Sequence, residues 1–287
     1  MSPDLDAISS RPLADFTSEE AAAAMARSFE GYLVPFRITA QAFERRFRSE
    51  NLDAYASRVY VRDGTPAGTV LVARRGWTSR IAAMGIVPEM RGQGLGRRVM
   101  EEATAEARQR GDRAVLLEAI AHNTPAVQLY TSLGFQAMRK LVGYRREAAP
   151  APSPTGPEIQ EIDPLEFARV VTREGEPDLP WMLAAETLAA ATPPARAFHL
   201  EHRAYALVAD PGDETLVLTA LVVPRQHRRQ GWASRLLATL DATFPRRPWV
   251  IKPLVPEDLV PAFFTQLGWE RQDLQQIEMR LELSGQR

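Results

Sequence analysis

Two stretches of this chain repeat each other at a nearly constant distance, and that repetition restricts its architecture more than any other feature. Arg91-Gly-Gln-Gly-Leu-Gly96 returns as Arg228-Arg-Gln-Gly-Trp-Ala233, 137 positions later, and Leu133-Gly-Phe135 returns as Leu267-Gly-Trp269, 134 positions later. A single repeat of this length marks a duplicated domain rather than a solenoid. The 287 residues are enough for two domains that each bury a core of their own. Between the copies lies Ala148-Ala-Pro-Ala-Pro-Ser-Pro-Thr-Gly-Pro157, whose prolines fix φ, remove donors and favour an extended spacer. The expected division is therefore 1–147, a linker at 148–157, and 158–287.

Within the first half, Thr17-Ser-Glu-Glu20 reads as a capping box opening a helix, and Phe43 and Phe47 lie one turn apart on a second helix. Val59–Val61 and Ala67–Val72 form an expected hairpin, followed by a strand at Ile81–Val87. A helix over 94–110, a buried strand at 114–120, a helix over 124–133 and a closing strand over 135–144 complete the pattern. The second half repeats it more loosely: helices at 164–171, 181–191, 231–244 and 256–267, and strands at 204–209, 215–223 and 249–251. Strands alternating with helices argue for an α/β (α+β) fold in both halves, a mixed sheet with helices against it.

Composition narrows the chemistry. There is no cysteine, which excludes disulfides, thiolate zinc sites, iron–sulfur clusters and a cysteine acyl-enzyme. Lys140 and Lys252 are the only lysines, so Schiff-base candidates are few. A net charge of -1 provides no general attraction to nucleic acid. The first residues lack a basic region followed by an apolar run, and no apolar stretch approaches about 18 residues. A cytoplasmic protein with no membrane and no nucleic-acid partner is expected. His199-Leu-Glu-His202 has metal-like spacing, but residues three apart on a strand face opposite sides, so no metal is assigned.

The strand over 81–87 leads into Arg91-Gly-Gln-Gly-Leu-Gly-Arg-Arg98 and then a helix. Unpartnered N–H groups and a positive dipole at a helix start attract a diphosphate, and glycines let it approach closely. Arg91, Arg97 and Arg98 place charge nearby. The Rossmann pattern counted from Gly92 fails at Arg97, and no Gly-Lys-Ser/Thr occurs in the chain. The remaining form, Arg-x-x-Gly-x-Gly, resembles the acyl-CoA motif of the GNAT superfamily of N-acetyltransferases. A second motif of that family, Asn-x-x-Ala-x-x-Leu-Tyr-x-x-x-Gly-Phe, is met in full by Asn123, Ala126, Leu129, Tyr130, Gly134 and Phe135. The resemblance covers residues 15–147 well and 158–283 weakly. It implies two tandem GNAT-like domains, each a mixed, mostly antiparallel sheet flanked by helices, with acetyl-CoA or another acyl-CoA as co-substrate. By the same resemblance Ile86, Val87, Arg91, Gly92, Gln93, Gly94, Leu95, Gly96, Arg97, Asn123, Ala126 and Tyr130 hold the coenzyme.

Acyl transfer to an amine needs a neutral nucleophile, a polarised carbonyl and a protonated leaving thiolate. The resemblance assigns carbonyl polarisation to backbone amides near Met84–Val87 and the acid role to Tyr130. Asn123 either bonds the pantetheine arm or caps its helix. Glu118, a lone charge in Val115-Leu-Leu-Glu-Ala-Ile-Ala121, is the expected general base; the competing readings are a strand-end ion pair for Glu118 and His122 as base.

In the second copy the 134 offset sets Phe264, Lys252 and Glu257 where Tyr130, Glu118 and Asn123 stand. Arg228, Arg229, Gly231 and Ala233 are a candidate second cofactor site in a domain without the chemical residues; the alternative is a vestigial domain that shapes the acceptor cleft or an interface. The expected function is N-acetylation of a primary amine on a small molecule or peptide. Modification of protein amino termini or lysines, and a non-catalytic acyl-CoA-responsive regulator, are the alternatives; a homodimer is left open. Tyr32, Phe36, Arg37 and Tyr55 would line the acceptor pocket.

Overall fold

The computed structural model describes residues 5–148, 158–260 and 262–283. The linker expected at 148–157 thus lies, apart from Ala148, outside the described residues. The chain divides into two units: Met1–Met138 with Ile277–Arg287, and Arg139–Gln276.

In the first unit, β1 (Ile8–Pro12), β2 (Arg58–Arg62), β3 (Thr65–Arg75), β4 (Thr78–Ile86), β5 (Ala114–Ile120) and β13 (Gln276–Glu282) lie side by side in that order. β1 with β2, β2 with β3 and β3 with β4 pair antiparallel, while β4 and β5 run parallel. α1 (Ser18–Ser28) begins at a complete capping box, in which Thr17 Oγ1 accepts from Glu20 N–H at 3.2 Å and Glu20 accepts from Thr17 N–H at 2.8 Å. α2 (Ala40–Glu50) is capped by Thr39 and stops at Asn51, whose φ of 59° turns the chain left-handed. α1 packs against β3, and α3 (Leu95–Gln109) against β4. α4 (Thr124–Ser132) follows β5. Leu95, Val99, Met100 and Leu117 share the core with Met279, Leu281 and Leu283 of the last strand, each burial contributing about 1.5–3 kcal/mol.

The second unit orders β6 (Gln136–Arg146), β11 (Trp249–Pro256), β10 (Leu216–Val222), β9 (Ala204–Val208), β8 (Arg196–Leu200) and β7 (Gln160–Ile162). The two-residue β12 (Glu270–Arg271) also pairs with β6. α5 (Pro164–Glu174) and α7 (Trp232–Thr243) pack against β8 and β9. The two units share one plan, with one exchange. The strand after α4, from Arg139 onward, belongs to the second unit, and the strand at the end of the chain joins the first. The division expected from the sequence, a simple cut at the proline-rich segment, differs from this at both places.

Three local expectations are corrected. The helix over 181–191 shrinks to α6 (Ala185–Leu188), because the buried Thr187 hydroxyl donates to the Trp181 carbonyl at 2.5 Å and so competes with helical pairing. The helix over 256–267 shrinks to α8 (Phe263–Gln266), since the Trp249-Val-Ile-Lys-Pro-Leu-Val-Pro256 stretch stays extended as β11. His199 and His202 do not face apart: His202 lies beyond β8 in a turn with φ of 52°, and the two rings stack with centroids 3.8 Å apart. No described helix is long and apolar enough to cross a membrane.

Candidate functional site

The turn between β4 and α3 is built for backbone donors. Gly94 is the N-cap of α3 with φ of 90°, a conformation that only glycine adopts cheaply. It leaves the first N–H groups of α3 without intrahelical partners. Two arginines of this turn, Arg91 and Arg98, bind backbone carbonyls of neighbouring segments. Arg91 Nε donates to the Ile86 carbonyl at 2.8 Å and Nη2 to the Glu30 carbonyl at 2.5 Å, tying the end of β4 to the segment after α1. Arg98 donates to the Leu5 carbonyl at 2.5 Å and to Glu102 at 2.8 Å. Arg97 Nη2 reaches Ser132 Oγ at 2.7 Å. Arg91 and Arg98 hold the turn in place, while Arg97, 47 % exposed, stays at its surface beside the backbone donors. Gln93 supports the same turn through the Glu89 carbonyl at 2.7 Å.

β4 and β5 pair from Thr78↔Ala114 to Ile81↔Leu117 and then part, although β4 continues to Ile86 and β5 to Ile120. The fork opens a cavity of 150 Å³ bordered by Met84, Glu118, Asn123, Ala126, Tyr130 and Tyr32 among others. Asn123 caps α4, its Oδ1 accepting from Ala126 N–H at 3.4 Å, and its Nδ2 donates to the Tyr32 hydroxyl at 3.4 Å. Tyr130, 8 % exposed, packs on Phe135 with centroids 6.0 Å apart. Burial, with a smaller effect of Tyr32, pushes its phenol well above the usual value, so it keeps its proton at neutral pH. His122 is exposed on the turn before α4 and does not line the cavity.

Phe29, Tyr32 and Phe36 stand between this cavity and an outer hollow of 590 Å³ that also touches Arg27, Glu30 and Arg37. Phe29 stacks on Phe36 at 4.7 Å and meets Tyr32 edge-on at 5.2 Å. A Cβ at Gly85 would lie 2.7 Å from the Phe29 ring; glycine there lets the aromatic cluster settle onto β4. Tyr55, expected beside these residues, is 75 % exposed in a loop and lines neither space.

Glu118 is held in an ion pair. Its carboxylate receives Arg80 Nε at 2.8 and 3.0 Å and Arg80 Nη2 at 2.8 Å, with the two side chains only 4 % and 7 % exposed. Arg80 Nη1 in turn contacts Glu50 at 2.7 Å, and Glu50 binds Arg46. Burial alone would raise the Glu50 carboxyl, but Arg46 and Arg80 together bring it below its usual value. The sequence singled out Glu118 and missed its three partners. Arg46 and Glu50 carried a signal, since they stand four apart on the helix inferred from Phe43 and Phe47.

The second unit reproduces the turn but not the residues around it. Arg228 Nε donates to the Val223 carbonyl at 3.1 Å and Nη2 to the Glu174 carbonyl at 2.5 Å, Gln230 Nε2 meets the Gln226 carbonyl at 2.9 Å, and Gly231 caps α7 with φ of 80°. β10 and β11 also part after two pairs, Leu216↔Trp249 and Val217↔Val250. Phe264, at the place of Tyr130, is buried among Tyr144, Phe263 and Trp269. Lys252 is exposed, and Glu257 pairs with Arg271 at 2.6 Å.

Known proteins resemble the chain in part of its sequence and in its fold. Mycothiol acetyltransferase of Thermobifida fusca (strain YX) is 39% identical over 84 residues, which are 29% of this chain and 23% of that protein. The chain spans less than half the length of the curated relatives it matches. Among solved structures, a GCN5-related N-acetyltransferase from Sphaerobacter thermophilus superposes with a TM-score of 0.69 at 18% identity, covering 96% of each chain. A tandem GNAT protein from the clavulanic acid biosynthesis pathway gives a TM-score of 0.67 at 17% identity over 96% of this chain and 98% of its own; both likenesses are of fold. The model of the acetyltransferase (GNAT) family matches residues 22–135, the stretch that holds the turn, the fork and Tyr130, and those residues are a domain of that family.

Proposed function

We propose that the first unit transfers the acyl group of acetyl-CoA to a primary amine of a small molecule or peptide by direct attack. The observation that carries this reading is the fork of β4 and β5, which brings β4 backbone no longer paired with β5 and the Tyr130 side chain to one cavity, while the glycine-capped start of α3 follows from the turn at the end of the same strand. The N–H groups at Gly92–Arg97 would take the diphosphate. Backbone N–H groups of β4 past the fork would hold the thioester carbonyl where negative charge develops. The neutral amine nitrogen forms a bond to the carbonyl carbon, the C–S bond breaks, and Tyr130 gives its proton to the departing sulfur. Although burial makes the phenol weakly acidic, a thiolate leaving beside it is made more basic by the same desolvation.

Glu118 is placed in this scheme as the anchor of Arg80, because both of its carboxylate oxygens are already taken up by a buried guanidinium. The amine reaches the cavity as its free base, and its second proton leaves to solvent after attack. The Tyr130 hydroxyl at the cavity favours an enzyme over a purely regulatory coenzyme binder. With Phe264 at the corresponding place, the second unit takes no part in the chemistry. Calorimetric titration with acetyl-CoA tests the assignment. Gly94→Glu, which forces a side chain into a left-handed φ and sets a carboxylate at the helix start, should abolish binding to the first unit. Binding that survives unchanged would move the coenzyme to the turn at Arg228–Ala233.

A further inference from the structure

β4 carries one residue more than β3 where they pair: Leu71 faces Ala83 and Val72 faces Ile81, so Ala82 is bulged out. The bulge sits at the last rung of the β4–β5 pairing, Ile81↔Leu117. Its carbonyl accepts from Arg46 Nη2 at 2.5 Å. Arg46 borders the cavity and reaches it from α2, which supplies no other hydrogen bond to β4's backbone among those described.

We propose that Arg46 is a positioning residue for acyl transfer, setting the β4 bulge and thereby the direction of the backbone N–H groups that face the thioester carbonyl. The inference rests on the function proposed above. A peptide unit is planar, so fixing the Ala82 carbonyl fixes the N–H of Ala83 on the opposite side, and the alternation of a strand then turns the N–H groups of Met84 and Ile86 back to the side that the Ala82 carbonyl faces. Donors to a developing oxyanion must be aimed to within a few tenths of an ångström of about 2.7–3.1 Å. A single ion pair on a long side chain would not hold that tolerance. Arg46 is instead the outer end of a buried chain, since Glu50 binds it, Arg80 binds Glu50, and Glu118 binds Arg80 across the fork from β5. Two cations and two anions leave the chain neutral, so it can remain buried. The same chain ties β4 to β5 at the point where they separate, which couples the width of the fork to the pitch of the bulge.

The test is the infrared band of the thioester carbonyl in carbon-13-labelled acetyl-CoA bound to the full chain, which needs no acceptor. Wild type should show the band below its position in free acetyl-CoA, the signature of polarisation. In Arg46→Met the band should return toward the free position while calorimetric affinity changes less than about threefold, because the diphosphate turn that supplies most ground-state binding is untouched. Arg46→Lys keeps the charge beside Glu50 but has one nitrogen in place of a fork; it should fold even if the Met variant does not, and give an intermediate band. A band at the wild-type position in either folded variant, or an unshifted band in wild type, overturns the inference while leaving coenzyme binding in place. Failure of wild type to bind acetyl-CoA removes the proposed function and this inference with it.

Discussion

Replacing Glu118 by Gln separates the two roles that this residue could have. The substitution keeps size and shape and removes one charge from a side chain that is 4 % exposed. Breaking a buried pair by neutralising one partner typically costs about 3–5 kcal/mol. Here the low end applies, because Arg80 keeps Glu50 at 2.7 Å and the Gln oxygen can still accept from one guanidinium N–H. A loss of about 3 kcal/mol in a unit of this size lowers the melting temperature by about 6–12 °C. The assay is thermal unfolding at pH 7 in low and high salt. The shift should be insensitive to salt, since pairs buried this deeply are poorly screened. A melting temperature within 2 °C or so of wild type, about 1 kcal/mol or less, together with a large loss of turnover, would refute the anchoring argument and restore Glu118 as the base.

Two further outcomes follow from the site. Tyr130→Phe should reduce kcat by about 10²–10⁴-fold, the usual span for a lost general acid, with acetyl-CoA affinity unchanged by calorimetry; because the chain has no cysteine, released coenzyme can be followed with a thiol reagent without background from the protein. The Glu50 carboxyl is depressed in the folded state, so its stabilising effect is complete above the unfolded value of about 4.3 and is lost as pH falls below it. Glu50→Gln should therefore flatten the acid limb of the melting temperature between about pH 5 and pH 3, and an acid limb as steep as wild type would count against this assignment.

Much of the first unit was legible because its signals are local. Thr17 and Glu20 sit at capping-box spacing, Val115–Ala121 reads as a buried strand, and the glycines of 92–96 lie where a strand meets a helix. What was missed depends on partners distant in sequence. Glu118 stood out as a charge among apolar neighbours, but Arg80 lies 38 residues away and nothing near it indicates the pairing. The closing strand was missed despite a readable signal, since Ile277, Met279, Leu281 and Leu283 alternate with polar residues. The cut at the prolines was drawn from chain stiffness, which says where backbone is irregular and not which strands pair. Arg91, Arg97 and Arg98 carried a charge signal that gave no hint of their partners: a cation beside a glycine turn invites an anion, and carbonyls and a hydroxyl of the fold also accept from these side chains.

The exchange of closing strands also bears on why the second copy persists. Severing the chain anywhere in 148–157 would yield two fragments, each carrying one strand that belongs to the other's sheet. The N-terminal fragment would lose β13, leaving β5 without that neighbour and removing Met279, Leu281 and Leu283 from its core. A duplicated gene ordinarily leaves a spare that drift can delete. Here the spare supplies a strand of the first unit's sheet, so loss of its chemistry would not make it dispensable, and selection on the first unit would preserve the length of the whole chain.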